Sequence, residues 1–269
     1  MKTDVVVIGG GPAGLFSAAT AAKNGNKVIL VEKNQILARK LRITGKGRCN
    51  VTNSADISDF IEMVCSNKSF MYSSFYSFTN TDVMEFFENN GVPLKEERGG
   101  RIFPVSDRAK DIAEALISYA KNNGVVILQD TVTKVVSNEN EICAVETSGA
   151  KKIECNKVII ATGGVSYPLT GSTGDGYKFA KKLGHSIVEP YPSLVPLVVS
   201  EEYVKELQGL SLKNIAIKIF KDKKCVYEDF GEMLFTHYGL SGPVILSASS
   251  NLKDIENSNY KIYTDLKPA

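Results

Sequence analysis

Gly9, Gly11 and Gly14, with Glu32 lying 18 residues beyond the last of them, are the residues whose types and spacing speak most directly to chemistry. With Pro12 and Ala13 they complete a G-x-G-x-x-G run. The first glycine permits a tight turn, the second lets backbone approach a pyrophosphate, and the third lets a helix pack close to a strand. A helix N-terminus there offers free N–H groups and the positive end of a dipole to phosphates. Glu32 can accept hydrogen bonds from a ribose. NAD and FAD both fit this pattern, whereas a 2′-phosphate would call for arginine where Glu32 stands. A turn that merely joins strand to helix is the competing reading, and the complete strand–turn–helix–strand–acid order weighs against it.

Two further segments favour FAD. The strand Val158–Ala161 runs into Thr162-Gly163-Gly164, which would bring flexible backbone back to the nucleotide. Residues 39–53 are basic and glycine-punctuated, with Arg39, Lys40, Arg42, Lys46 and Arg48 within ten residues and Gly45 and Gly47 between them. Such a run can neutralise a pyrophosphate; a solvated basic loop is the alternative. Cys49 is the sharpest catalytic candidate, a thiol whose pKa should fall if Arg48 lies close. The plainer reading makes it a small residue that lets the loop pass a ring. His237, beside a Gly-Leu-Ser-Gly-Pro turn, is a candidate general acid or else a turn residue. Arg98 and Arg101 could meet an acidic group, with a solvated loop as the safer reading, and Tyr167 and Tyr177 flank a second glycine-rich loop, 170–176. No G-x-S-x-G, histidine pair or acid pair at readable spacing occurs, and no metal site is expected.

The elements that must position these groups are read from periodicity. Val5–Ile8 and Lys27–Val31 are apolar runs flanking an alanine-rich helix that Gly25 closes. Residues 57–90 read as helical, with Asp82 and Glu85 near the start of the last helix. Ile112, Ala115, Leu116, Tyr119 and Ala120 define an amphipathic helix over 108–123, followed by a strand over 125–128. Short strands near 132–136, 142–147 and 152–154, joined by the polar turns Asn138-Glu139-Asn140 and Ser148-Gly149, predict a β-meander. Lys157–Ala161 reads as a buried strand, and a helix is expected near 177–183. From Pro190 the character changes, and strands near 195–199, 212–220, 224–227 and 260–264 suggest a separate β-rich module. The expected domains are therefore 1–190 and 191–269.

At 269 residues, 43% hydrophobic and 23% charged, the chain can bury a large core. Its net charge of +2 gives no reason to expect nucleic acid or an anionic membrane as partner. No apolar stretch is long enough to span a bilayer and the N-terminus is no signal peptide, so a cytoplasmic protein is expected. Five scattered cysteines argue against a disulfide framework or a dithiol centre, and all but Cys49 read as small buried hydrophobes.

Gly9–Gly14, the Thr44-Gly45-Lys46-Gly47-Arg48-Cys49-Asn50-Val51-Thr52-Asn53 core, Ala161–Gly164 and Leu234–Pro243 together resemble the HI0933-like flavoproteins, also called the BaiN/RdsA family of NAD(P)/FAD-dependent oxidoreductases. The resemblance implies an α/β fold: a Rossmann-like FAD-binding domain with a β-meander, plus an inserted β-rich domain, here incomplete. It implies non-covalent FAD, with Gly9, Gly11 and Gly14 facing the pyrophosphate, Glu32 the adenosine ribose, and Lys33 and Lys40 nearby. Gly45, Gly47, Arg48, Cys49 and Asn50 would pass along the flavin, Val132 would meet the adenine through its backbone, and Ala161, Thr162 and Gly163 would close over the ribose or diphosphate. In such proteins the chain returns after the inserted domain to finish the FAD domain. Here it stops at Ala269 within that module, so residues 1–269 alone are expected to bind FAD weakly or not at all.

The function expected is FAD-dependent oxidoreduction, with NAD(P)H as donor and an activated C=C of a small molecule as acceptor. Flavin-dependent amine oxidation and an inactive flavin-binding fragment are the alternatives. An RNA-modifying flavoprotein is disfavoured by near-neutral charge and the absence of an aromatic-basic patch.

Overall fold

The computed structural model describes residues 1–139 and 141–268, so Asn140 of the expected polar turn and the terminal Ala269 lie outside it. The chain divides into two compact units, Met1–Ile187 and Val188–Ala269.

The first unit begins with β1 (Val5–Ile8), α1 (Pro12–Lys23) and β2 (Val28–Glu32). After a loop of 3₁₀ turns come β3 (Thr52–Asn53) and three helices, α2 (Ile57–Glu62), α3 (Lys68–Ser77) and α4 (Asn80–Asn89). The helical stretch expected over 57–90 is thus three pieces. The last starts afresh at a capping box, where the Thr79 hydroxyl accepts from the Asp82 N–H at 3.1 Å and Asp82 accepts from the Thr79 N–H at 2.7 Å. β4 (Leu94–Glu97) and β5 (Arg101–Pro104) follow, then α5 (Ala109–Asn122) and β6 (Val126–Gln129). The unit closes with β7 (Val132–Asn138), β8 (Glu141–Thr147), β9 (Lys152–Glu154), β10 (Lys157–Ile160) and α6 (Asp175–Lys182).

A parallel sheet of order β10-β1-β2-β6 is the centre of this unit. Its strands alternate between two cores, as the two-residue side-chain period of a strand requires. Val5, Val7, Val28 and Leu30 pack with Leu15 and Ala18 of α1 and Ile112 and Leu116 of α5. Val6, Ile8, Ile29 and Val31 pack with Val132, Val135, Val145 and Ile153 of the β7-β8-β9 meander and with Phe179 of α6. Helices, parallel sheet and meander are therefore three layers, a Rossmann-type arrangement.

One expectation changes here. Lys157–Ile160 is not buried: β10 stands at the end of the sheet, and Ile160 keeps 37% of its surface exposed. The Gly99-Gly100 segment, with φ of +80° and +71°, is the turn of a hairpin within the antiparallel sheet β3-β5-β4, and Arg98 and Arg101 beside it are exposed.

The second unit is a five-stranded antiparallel sheet of order β11-β14-β13-β12-β15. Its strands are β11 (Leu197–Val198), β12 (Ser211–Lys221), β13 (Lys224–Phe235), β14 (Gly239–Ser241) and β15 (Tyr260–Asp265), and α7 (Pro243–Ser249) lies between β14 and β15 in the chain. Ile215, Ile217, Ile219 and Met233 form its core with Val244, Ile245 and Ala248. β13 runs far beyond the expected 224–227. Pairing with β12 carries acidic residues such as Glu228 and Asp229 through a strand that their own preferences would not specify.

Candidate functional site

A cavity of about 590 Å³ opens at the carboxyl ends of β1, β2, β6 and β10. In open α/β sheets this is where ligands bind, and the size suits a small molecule or cofactor. Gly9, Gly11, Pro12, Ala13, Glu32, Lys33, Lys40, Val132, Ala161, Thr162 and Gly163 all line it. Gly14 does not, and its work is structural: a Cβ there would overlap the Gly9 carbonyl oxygen, so α1 can start this close to β1 only without one. Gly9 itself has φ of +108°, and a Cβ on it would sit 2.5 Å from the Ala161 carbonyl oxygen. A Cβ on Gly11, by contrast, would meet nothing within 4 Å. The turn is packed from behind and open toward the cavity, which is the shape a phosphate cradle at a helix N-terminus needs.

Glu32 is 8% exposed and already engaged. Its Oε2 accepts the Gly10 N–H at 2.5 Å, and its Oε1 accepts the Asn34 N–H and the Asn34 side-chain amide, each at 2.7 Å. A carboxylate has about four lone-pair sites. One therefore remains, on Oε2, for a ribose hydroxyl, while the Gly10 bond braces the glycine turn against the end of β2 and the two Asn34 bonds hold the start of the loop after it. The turn, the open Gly11 and this remaining acceptor fit the adenosine diphosphate half of a dinucleotide such as FAD.

The loop 162–176 is tied across the cavity by side chains from the β2 end. Lys33 Nζ donates to Asp175 Oδ2 and to Thr173 Oγ1, both at 2.7 Å. Asn34 donates to the Thr170 carbonyl at 3.3 Å, and Lys40 to the Ser166 carbonyl at 2.7 Å. The Lys33 ammonium, with help from the Thr173 and Lys178 side chains, lowers the Asp175 pKa to about 2. Tyr177 lines the cavity, whereas Tyr167 is 70% exposed.

The basic run 39–48 does not converge on one anion. Arg42 pairs with Glu114 of α5 at 2.7 Å, and Arg48 pairs with Glu97 and Asp107 while lying 4.2 Å from the Phe103 ring centroid. Glu97 and then Asp107 raise the Arg48 pKa further. Arg39 and Lys40 are the two cations of the run that reach the cavity wall. Gly45, Gly47 and Arg48 line neither this cavity nor its neighbour.

That neighbour, about 430 Å³, shares Pro12 and Lys40 with the first and is walled by Phe16, Phe78, Phe86, Phe87 and Leu116. Cys49 and Asn50 lie on it. Cys49 is 4% exposed, with φ of +62°, and burial pushes its pKa up rather than down. The cationic loop does not activate this thiol, because Arg48 is turned onto Glu97 and Asp107. Of the other cysteines, Cys155 is buried with a pKa of about 11, but Cys65, Cys143 and Cys225 are exposed, contrary to the expected burial. They sit in the loop between α2 and α3 and on the open faces of β8 and β13, where no core reaches them. Arg98 and Arg101 lie at the β4–β5 turn, with Arg101 Nε donating to the Arg98 carbonyl at 3.0 Å, and neither lines a cavity. His237 belongs to the second unit, in the β13–β14 turn, its ring 4.5 Å from that of Tyr238.

Sequence reasoning missed Asn34, Asp130, Ser172 and Asp175 on the cavity wall. The glycine-rich loop 170–176 was the available signal for the last two.

A family model described as the HI0933-like protein Rossmann domain matches residues 3–247, and the chain belongs to that family. It is 31% identical over 253 residues to the ribosomal RNA dihydrouridine synthase of Escherichia coli (strain K12), covering 93% of this chain and 61% of that protein. It is 28% identical over 269 residues to the 3-dehydro-bile acid delta(4,6)-reductase of Clostridium scindens, covering 97% of this chain and 64% of that one. The chain thus spans under two thirds of the length of either relative. Among solved structures, the open conformation of a flavocytochrome c3 fumarate reductase superposes with a TM-score of 0.57 at 21% identity, over 82% of this chain and 53% of that one, which shows a shared fold. Among the described residues, no helix is long and apolar enough to cross a membrane and no cluster of metal ligands occurs.

Proposed function

We propose that this HI0933-like chain binds FAD non-covalently and serves the reduction of a C=C bond conjugated to a carbonyl group, with NAD(P)H as electron donor. The observation that carries the reading is the cavity at the sheet's carboxyl edge, with its open glycine turn and the one acceptor left on Glu32. The two relatives' names add a common chemistry, since a dihydrouridine is a uridine reduced at its ring C=C and a delta(4,6)-reductase acts on C=C bonds. Flavin, when bound, supplies a two-electron carrier between nicotinamide and carbon. The chain's own work is to hold phosphates at the start of α1, to orient the ribose on Glu32, and to keep water from the cofactor with the tethered loop 162–176.

The test is a titration of FAD into the purified chain, followed by anaerobic addition of NADPH and then of a conjugated enone. Wherever flavin is retained, by the chain itself or by its fusion to the remainder of a longer relative, the expected result is bleaching of the flavin band by NADPH and its return with the enone. Flavin that is bound but stays oxidised with NADPH overturns the reductase reading in favour of oxidase chemistry. A chain that retains no flavin is to be fused to the remainder of a longer relative; a fusion that binds flavin and still lacks turnover leaves only a flavin-binding role.

A free small molecule is the first reading of the substrate, in keeping with the net charge of +2. A base within RNA is the second, favoured by the Escherichia coli relative. Salt-dependent retention on immobilised ribosomal RNA selects the second, because neutralised phosphates release counterions.

A further inference from the structure

Asp130 follows β6 and lines the same cavity as Glu32, yet its carboxylate is engaged by four donors from the protein itself. Its N–H donates to the Glu32 carbonyl at 3.0 Å, which locks it to the end of β2. Its Oδ1 accepts the Thr131 N–H at 2.7 Å, the Ser148 hydroxyl at 2.9 Å and the Gly149 N–H at 3.2 Å. Its Oδ2 accepts the Thr147 hydroxyl at 2.8 Å and lies 4.0 Å from Lys151 Nζ. Three donors crowd Oδ1, and the site left on Oδ2 beside the Thr147 bond lies near the Lys151 ammonium. The side chain is 8% exposed.

These bonds join the short link between β6 and β7, residues 130–131, to the turn between β8 and β9, 17 to 19 residues further along the chain. The Ser148 N–H donates to the Thr131 carbonyl at 2.8 Å and closes the same knot. A Cβ on Gly149 would sit 2.7 Å from Asp130 Oδ2, so the turn comes as near the carboxylate as a glycine allows. The outcome is that Thr131 and Val132, both on the cavity wall, are fixed in place relative to Glu32. An acid at the end of β2 meets the adenosine ribose in dinucleotide folds. β6 flanks β2 on the side away from the phosphate-binding turn, so on the dinucleotide reading the base, beyond the ribose, would lie at the β6–β7 junction.

We propose that Asp130 is a positioning residue that holds the Thr131–Val132 backbone as the wall for the purine base, and so sets affinity for the adenosine half of the cofactor without touching it. This rests on the dinucleotide reading above. The experiment is calorimetric titration of ADP into the purified chain and three variants, well below their melting temperatures. Asp130→Ala is expected to weaken ADP binding roughly tenfold, the equivalent of about one lost hydrogen bond to a charged group. Asp130→Asn is expected to restore it, because an amide oxygen can keep the three Oδ1 donors and the amide nitrogen can donate to the Thr147 hydroxyl. Thr147→Val, outside the cavity lining, is expected to weaken binding in the same direction by a smaller factor. A folded Asp130→Ala chain that binds ADP like the parent, with only its melting temperature lowered, overturns the proposal. If that variant does not fold, unchanged ADP affinity in Thr147→Val overturns it. A parent chain that binds no ADP removes the dinucleotide reading, and this proposal with it.

Discussion

If Glu32 braces the glycine turn as well as meeting a ribose, its loss must be felt before any cofactor is added. Glu32→Ala deprives the Gly10 N–H, the Asn34 N–H and the Asn34 amide of the acceptors they meet at 2.5, 2.7 and 2.7 Å. Bonds to a charged acceptor contribute about 1.5–3 kcal/mol each when their loss leaves a buried donor unmatched. Gly10 is buried, so its N–H counts in full, whereas Asn34 is half-buried and its donors can turn partly to water. We therefore expect a destabilisation of about 3 kcal/mol in the nucleotide-free chain. For a unit of the size of Met1–Ile187 that is a fall in melting temperature of about 6–12 °C. Glu32→Gln keeps an acceptor for Asn34 but sets a donor against the Gly10 N–H, and should lose about 2 kcal/mol. The assay is thermal unfolding by circular dichroism with nucleotide removed. A Glu32→Ala chain melting within about 2 °C of the parent, yet binding ADP more weakly, would refute the bracing role and leave Glu32 as a ribose ligand alone.

Three further outcomes are expected. Gly14→Ala must drive α1 away from β1, because its Cβ would overlap the Gly9 carbonyl oxygen; a loss of at least about 3 kcal/mol should appear in the denaturant midpoint. Asp175 is held near a pKa of about 2 by Lys33, below its ordinary 3.8, so its contribution to stability is present above that value and is lost as pH falls from about 4 toward 2. Asp175→Asn should therefore flatten the acid limb of the pH–stability curve in that window, and an unchanged limb would count against the Lys33–Asp175 tie. In native protein at pH 8, iodoacetamide followed by mass spectrometry should label Cys65, Cys143 and Cys225 first. Cys49 and Cys155 should react only on unfolding, because both are buried and carry raised pKa values.

By itself the sequence determined the parts that are local. The strand, glycine turn, helix and acid of residues 4–32 specify one another within a single supersecondary unit, and the spacing of Ile112, Ala115, Leu116, Tyr119 and Ala120 sets which face of α5 is buried. The polar turns and alternating apolar residues of 132–154 likewise read as a meander without outside help. Tertiary structure alone decided where charges and strand edges ended up. Arg48 finds Glu97 and Asp107, 49 and 59 residues away, and burial pushes the neighbouring Cys49 thiol up in pKa. Asp130 becomes a knot only when the 147–149 turn is folded over it, and Asp175 joins the site only because Lys33 reaches across from β2. β13 extends to Phe235 because β12 lies beside it, and β10 stays half-exposed because it ends the sheet order. The division has one physical cause: periodicity and turn chemistry act over a few residues, whereas the partner of a charge or the neighbour of a strand depends on which distant segment the fold brings near.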